Sequence, residues 1–251
     1  MRPLLNLLTA NKAASRPLAM ERNGNEITIE VIGTISSTDD EAYWWGGASA
    51  QQFARDLRGA KEGETVHIRI NSPGGDVFGG VAMAQAIREC KAQVVVHVDG
   101  YAASAASLLV AAAPDSVIAP AGMVMIHKAW TIGIGNSDDF MATAALLEKI
   151  DGELAATYQA KAGGDLDEWA AAMRAETWYT GSEAVEAGLV NRVAEGAGGS
   201  RQARFDLSAY QRPPTPPEPE AEPPANDNAA AEAADLDRRR RVAAALTRTR
   251  I

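Results

Sequence analysis

A single cysteine in 251 residues excludes an internal disulfide framework and every CxxC metal pattern. Cys90 reads as a small core residue. Without disulfides to protect, the chain fits a reducing compartment, and a cytoplasmic location is expected. No apolar run reaches the roughly 18–20 residues that cross a bilayer, and "LLNLL" near the start is too short for a signal peptide. A membrane partner is therefore not expected. Positive charge is also scarce, with 24 Lys and Arg against 33 Asp and Glu. The resulting acidic balance argues against a nucleic-acid footprint, which needs a basic face. The phosphate-cradling spellings GxGxxG and GxxxxGK[ST] are missing too, so neither a nucleotide nor any other cofactor is expected, and no metal site.

Against these absences stands enough apolar material, 46% of the chain, for one sizeable core with appendages. Residues 1–24 read as a flexible arm closed by the turn signal "NGN" at 23–25. From 26 onward, strand-like alternation in "EITIEVIGTI" (26–35) and "TVHIRI" (65–70) brackets the helix-like "SAQQFARDLRGA". A helix is expected over 79–90, a buried strand over 92–100, a turn at Gly100, a helix over 102–113 and a strand-rich piece over 116–127. A long helix over 136–163 and a shorter one over 166–175 follow. Strands alternating with helices predict an α/β domain over 25–197 with a mostly parallel sheet covered on both faces. After it, the proline-rich, acidic stretch 198–237 has too few large apolar residues to offset chain entropy and reads as a disordered linker. The run "RRRR" opens a short basic helical tail over 238–251.

Three stretches carry candidate chemistry. "NSPGGDVFGG" (71–80) places two glycine pairs between a strand and a helix, where backbone N–H groups without a side chain above them can approach a developing oxyanion. "DGYAASAASLLVAAA" (99–113) places Ser104 near a helix N-terminus, following the strand–turn–helix logic of a nucleophile elbow without its GxSxG spelling. Ser104 could equally be an N-cap, and Ser107 could be a packing residue in the same helix. Of three histidines, His67 and His97 lie inside strand patterns. His127 ends "GMVMIH", at a strand terminus where α/β folds build their sites.

In order and spacing, "INSPGGDV", "DGYAASAASLLVAAA", "MVMIHKAW" and "TGSEAVEAGLVNRV" resemble the signature segments of the Clp protease proteolytic subunit. "MIHKAWT…GN" and "ETWYTGSEAVEAGL" resemble most the Clp-related head maturation proteases of tailed bacteriophages, over roughly residues 26–194. The resemblance implies the spiral α/β fold shared with crotonases. It implies a serine endopeptidase with Ser104 as nucleophile and His127 as general base, and with the backbone N–H groups of Gly75 and Ala105 as oxyanion donors. For the third triad member, a gapless count back from Glu183 and Ala184 puts Ala172 at the family's acid. Glu176 is the nearest carboxylate, with Asp139 and Asp167 as alternatives and a Ser–His dyad assisted by a backbone carbonyl or water as another. The resemblance further implies homo-oligomeric rings stacked face to face through the helix over 136–163, and capsid or scaffold proteins as substrates in the host cytoplasm or the prohead. A housekeeping subunit served by an ATPase unfoldase, a crotonase-like acyl-thioester enzyme and a non-catalytic scaffold module are the competing expectations.

Overall fold

The computed structural model describes residues 3–195 and 205–214. Most of the expected linker and all of the expected basic tail, 238–251, lie outside the described residues. The described residues up to Pro213 form one compact unit.

Hydrophobic pattern and sheet position agree. In β2 (Glu26–Ile32) every second residue, Ile27, Ile29 and Val31, is buried, and β5 (Thr65–Ser72) repeats this with Val66, Ile68 and Ile70. β6 (Gln93–Ala103) is buried through the consecutive Val94, Val95 and Val96, as a central parallel strand must be. The three strands pair in parallel. Between β2 and β5 run β3 (Ile35–Ser36), α2 (Asp39–Trp45), β4 (Ala48–Ser49), which pairs in parallel with β3, and the crossing helix α3 (Ala50–Arg58); α4 (Val77–Glu89) crosses from β5 to β6. β7 (Asp115–Ile118) and β10 (Arg192–Val193) continue the sheet in parallel. At the opposite edge β1 (Ala19–Asn23) pairs antiparallel with β2. The expected α/β class with a mostly parallel sheet is the architecture observed.

β6 forks the sheet. Its residues 95–98 pair with β7, while 101–103 pair with β8 (Met123–Ile126), on which β9 (Thr177–Thr180) lies antiparallel. Between the two halves, the register with β5 jumps from Ile70↔Val98 to Ser72↔Ala102. The expected turn at Gly100 is thus corrected to a bulged strand that runs on to Ala103. Glycine is needed there for space, because a Cβ would sit 2.6 Å from Asn71 Oδ1. That oxygen accepts the Tyr101 N–H at 3.2 Å. The expected helix over 102–113 begins correspondingly late, as a 3₁₀ turn at Ser104–Ala106 followed by α5 (Ser107–Ala112).

The long helix forms as α6 (Ser137–Ala162), opened by an Asn136–Asp139 capping box, and α7 (Leu166–Ala175) opens on Asp165. Only the second half of α6 has buried residues, namely Leu154, Ala155 and Tyr158.

The chain ends differ most from expectation. Within the expected arm, α1 (Pro3–Asn11) is helical with Leu7 buried, and β1 is joined to β2 through the "NGN" turn, where Gly24 has φ +61°. Within the expected linker, Phe205, Leu207 and Tyr210 are buried in one cluster with Leu7, Ala103 and Met125. Asn11 and Asp206 join these two segments: the Asn11 amide donates to the Asp206 carbonyl at 2.9 Å, and the Asp206 N–H donates back to Asn11 Oδ1 at 2.6 Å. A short helix and a short strap have weak local signals. What fixes them is burial against each other and the domain.

Candidate active site

Three element ends meet at one cleft. β6 ends at Ala103, and Ser104 follows with φ +54°, one of two non-glycine residues among those described with a left-handed backbone. Such a conformation is costly for an L-residue and persists only where its surroundings impose it. Here Ser107 helps, since its hydroxyl donates to the Ser104 carbonyl at 2.6 Å and takes the Tyr158 hydroxyl at 2.8 Å. Burial pushes the Tyr158 phenol up to about 12, which keeps it a donor. Ser107 therefore supports the turn and does not face the cleft.

His127 follows the last residue of β8, and its Nε2 lies 2.7 Å from Ser104 Oγ. Burial pulls the imidazole pKa below its ordinary value, while the negative charges of Glu176 and Asp151 act in the opposite direction. Asp151 is itself held by the Ala129 N–H at 2.7 Å and by Lys128 at 3.0 Å. The other two histidines lie elsewhere, joined across β5 and β6 by an Nδ1(His67)–Nε2(His97) contact of 3.0 Å, with His67 against Glu26 at 2.7 Å.

The glycine turn after β5 forms the third side. Ser72 Oγ accepts the Gly74 N–H at 3.1 Å, and Asp76 caps α4 by accepting the Gly79 N–H at 2.6 Å. Gly75, with φ +151°, forms a parallel bridge with Ile35. In that bridge the Ile35 N–H donates to Gly74 O and its carbonyl accepts from Asp76 N, each at 2.9 Å. Because its neighbours make the bridge bonds, the Gly75 N–H points away from Ile35. A Cβ on Gly75 would stand 2.2 Å from the Ile35 carbonyl oxygen, so only glycine fits. Gly75, Ser104, Ala105 and His127 all line a cavity of 370 Å³ whose walls also include Leu7, Trp45 and Leu146.

For the acid, the geometry replaces the count. Ala172 lies within α7, whereas Glu176 ends that helix with φ +52°, buried to 7% exposure and near enough to raise the His127 pKa. Its carboxylate is engaged elsewhere: the Gln211 and Arg212 N–H groups donate to Oε2 and Oε1 at 2.9 and 2.6 Å. Asp139 is taken up in the α6 capping box, and Asp167 is exposed at the start of α7. The strap residue Tyr210 stands edge-on to His127, with ring centroids 5.4 Å apart. Sequence reasoning missed it. The only available signal was the apolar spacing of "FDLSAY" (205–210) at the head of a polar stretch. Among the described residues, no three His, Cys, Asp or Glu side chains cluster as a metal site requires, and no helix is long and apolar enough to cross a membrane.

A forked parallel sheet that delivers a hydroxyl, an imidazole and a glycine turn to one cleft defines a class of α/β proteins built around a serine–histidine pair. Residues 50–197, more than half of the chain, match the Clp protease family, and the chain belongs to that family. The ATP-dependent Clp protease proteolytic subunit of Bacteroides fragilis is 35% identical over 134 residues, 52% of this chain and 64% of the relative. The corresponding subunit of Bdellovibrio bacteriovorus is 33% identical over 144 residues, 55% and 66% of the two chains. That of Chlorella vulgaris is 27% identical over 140 residues, 55% and 70%. The chain thus spans just under two thirds of the length of the first two relatives.

Proposed function

We propose that the protein is a serine endopeptidase working through an acyl-enzyme. The observation that carries this reading is the 2.7 Å approach of Ser104 Oγ to His127 Nε2 in a cavity that Gly75 and Ala105 also line. Ser104 Oγ adds to the scissile carbonyl carbon as its proton passes to Nε2, and the carbonyl oxygen becomes an oxyanion between the two N–H groups. Collapse breaks the C–N bond, with the imidazolium returning the proton to the leaving amine. Water then repeats the addition with His127 as base, freeing the carboxylate product and restoring Ser104. Glu176 acts as a fixed negative charge that favours the imidazolium.

A fluorophosphonate probe tests the reading, because only an activated serine reacts. Labelling of the wild type that Ser104→Ala abolishes is the expected result; an unlabelled wild type would refute it. It would favour a crotonase-like or scaffold role, neither of which needs this pair.

The finer role we propose is maturation of a phage head, with capsid or scaffold chains as substrates. It is supported by the resemblance carried by "MIHKAWT…GN" and "ETWYTGSEAVEAGL". The relatives are named ATP-dependent proteolytic subunits, and that name supports a second, housekeeping reading. Cleavage of capsid or scaffold chains without an ATPase favours the first, and degradation only in the presence of an ATPase unfoldase the second. In either role copies would associate through the first half of α6 and the segment before it, where Ile134 is 91% exposed and Phe140, Met141 and Leu146 are also exposed. Sedimentation of a fully active monomer at micromolar concentration would contradict this assembly.

Glu176→Gln separates charge from hydrogen bonding at the site. The neutral imidazole is the working base, so activity is lost as pH falls through the His127 pKa, which burial holds below the ordinary histidine value. Glu176 raises that pKa, and its removal should move the acid limb of kcat/KM to lower pH. A limb that stays put or moves up would show that Glu176 does not act on His127.

A further inference from the structure

Segment 205–213 reaches the site from behind. Tyr210 does not line the cleft that exposes Ser104, and it is buried, so the strap leaves substrate access open. Its contacts nevertheless reach Ser104, His127, Glu176 and the turn that leads into Gly75. The Tyr210 hydroxyl donates to the carbonyl of Pro73, two residues before Gly75. The phenol also lies beside the Ser104 hydroxyl, and its ring meets His127 edge-on. On its other side it packs against Trp178 at 5.8 Å. The next two residues donate their backbone N–H groups to Glu176. Burial holds the phenol pKa far above neutrality, so it remains a hydrogen-bond donor at every working pH.

We propose that Tyr210 is a positioning residue for the peptidase site, supplied by a strap outside the family-matched region 50–197. Its hydroxyl anchors the glycine turn through Pro73, its ring limits rotation of the His127 imidazole, and the strap backbone holds Glu176 at a fixed place. The inference rests on the peptidase reading. A strap that blocked the site would have to occupy the cleft, and this one stands on the far side of Ser104 and His127.

The test compares wild type, Tyr210→Phe and Asn11→Ala by fluorophosphonate labelling rate and by hydrolysis of a fluorogenic peptide. Thermal melting serves as the control for folding. Tyr210→Phe keeps the ring and removes the donor to Pro73. It should lower kcat and the labelling rate together by about tenfold, the size of one missing positioning hydrogen bond, with KM little changed. Asn11→Ala cuts the strap's tie to α1 away from the cleft and should lower the same two rates. If Tyr210→Phe does not fold, Asn11→Ala decides alone. Wild-type rates in the folded variants, or a gain in rate, would overturn the inference, the gain marking the strap as a brake. A wild type that does not label would overturn the peptidase reading and this inference with it.

Discussion

Ser104→Ala should abolish measurable peptide hydrolysis while the domain melts near the wild-type temperature. Alanine at φ +54° bears about the same left-handed cost as serine, and the substitution removes only the hydroxyl that stands 2.7 Å from His127 Nε2. The buried support of the turn, from Ser107 and Tyr158, is untouched. Removing a member of a nucleophile–base unit lowers kcat by about 10⁴-fold to 10⁶-fold, leaving the part that oxyanion donors and binding supply. His127→Ala should fall to the same floor, and the double variant should be no worse than either single one, because the two groups act in one proton transfer. Near-normal turnover by purified Ser104→Ala would remove the mechanism. A double variant far below both singles would show that serine and histidine act separately.

Gly75→Ala should be nearly as damaging, by a different route. The added methyl would stand 2.2 Å from the Ile35 carbonyl oxygen and 2.7 Å from its nitrogen, in a backbone with φ +151°. Both obstacles are main chain, which cannot rotate aside, so the turn itself has to move. Displacing one oxyanion donor costs about 10²–10³ in kcat, and the strained backbone adds about 1–3 kcal/mol of instability. Gly63→Ala is the control, since Gly63 also has positive φ but no atom within 4 Å of its Cβ position. It should lose a little stability and no activity. Equal kinetics for the two variants would show that the Gly75 N–H has no part in the reaction.

How much of this was legible in the sequence varied with the physical origin of each feature. The alternation in β2 and β5 and the cap signals of α6 are local, and the elements form where those patterns stand. Ser104 and His127 were legible because each sits at an element end that a short pattern marks. The start of the helix after Ser104 was not, because the bulge at Asp99–Tyr101 is set by Asn71 on the neighbouring strand, an interaction no local window contains. Glu176 was ambiguous because spacing orders residues along a helix but does not say that its end is buried under the strap, where the Gln211 and Arg212 N–H groups hold its carboxylate. Tyr210 and Asn11 were invisible for the same reason in stronger form: their partners lie far away along the chain.

That last separation bears on timing. The Asn11–Asp206 pair joins residues 195 apart in sequence, so it closes only after the whole sheet has been synthesised. The entropic cost of closing so long a loop rises only slowly with length and is small next to the burial it permits. Its effect is on order: a nascent chain emerging from the ribosome can form β2, β5, β6 and the serine–histidine pair before residue 205 exists. Until the strap arrives, such a chain would hold its imidazole and glycine turn loosely, and would be a slow enzyme among other unfinished polypeptides. Activity would then mature only once residues 205–213 have been added, a delay written into the topology.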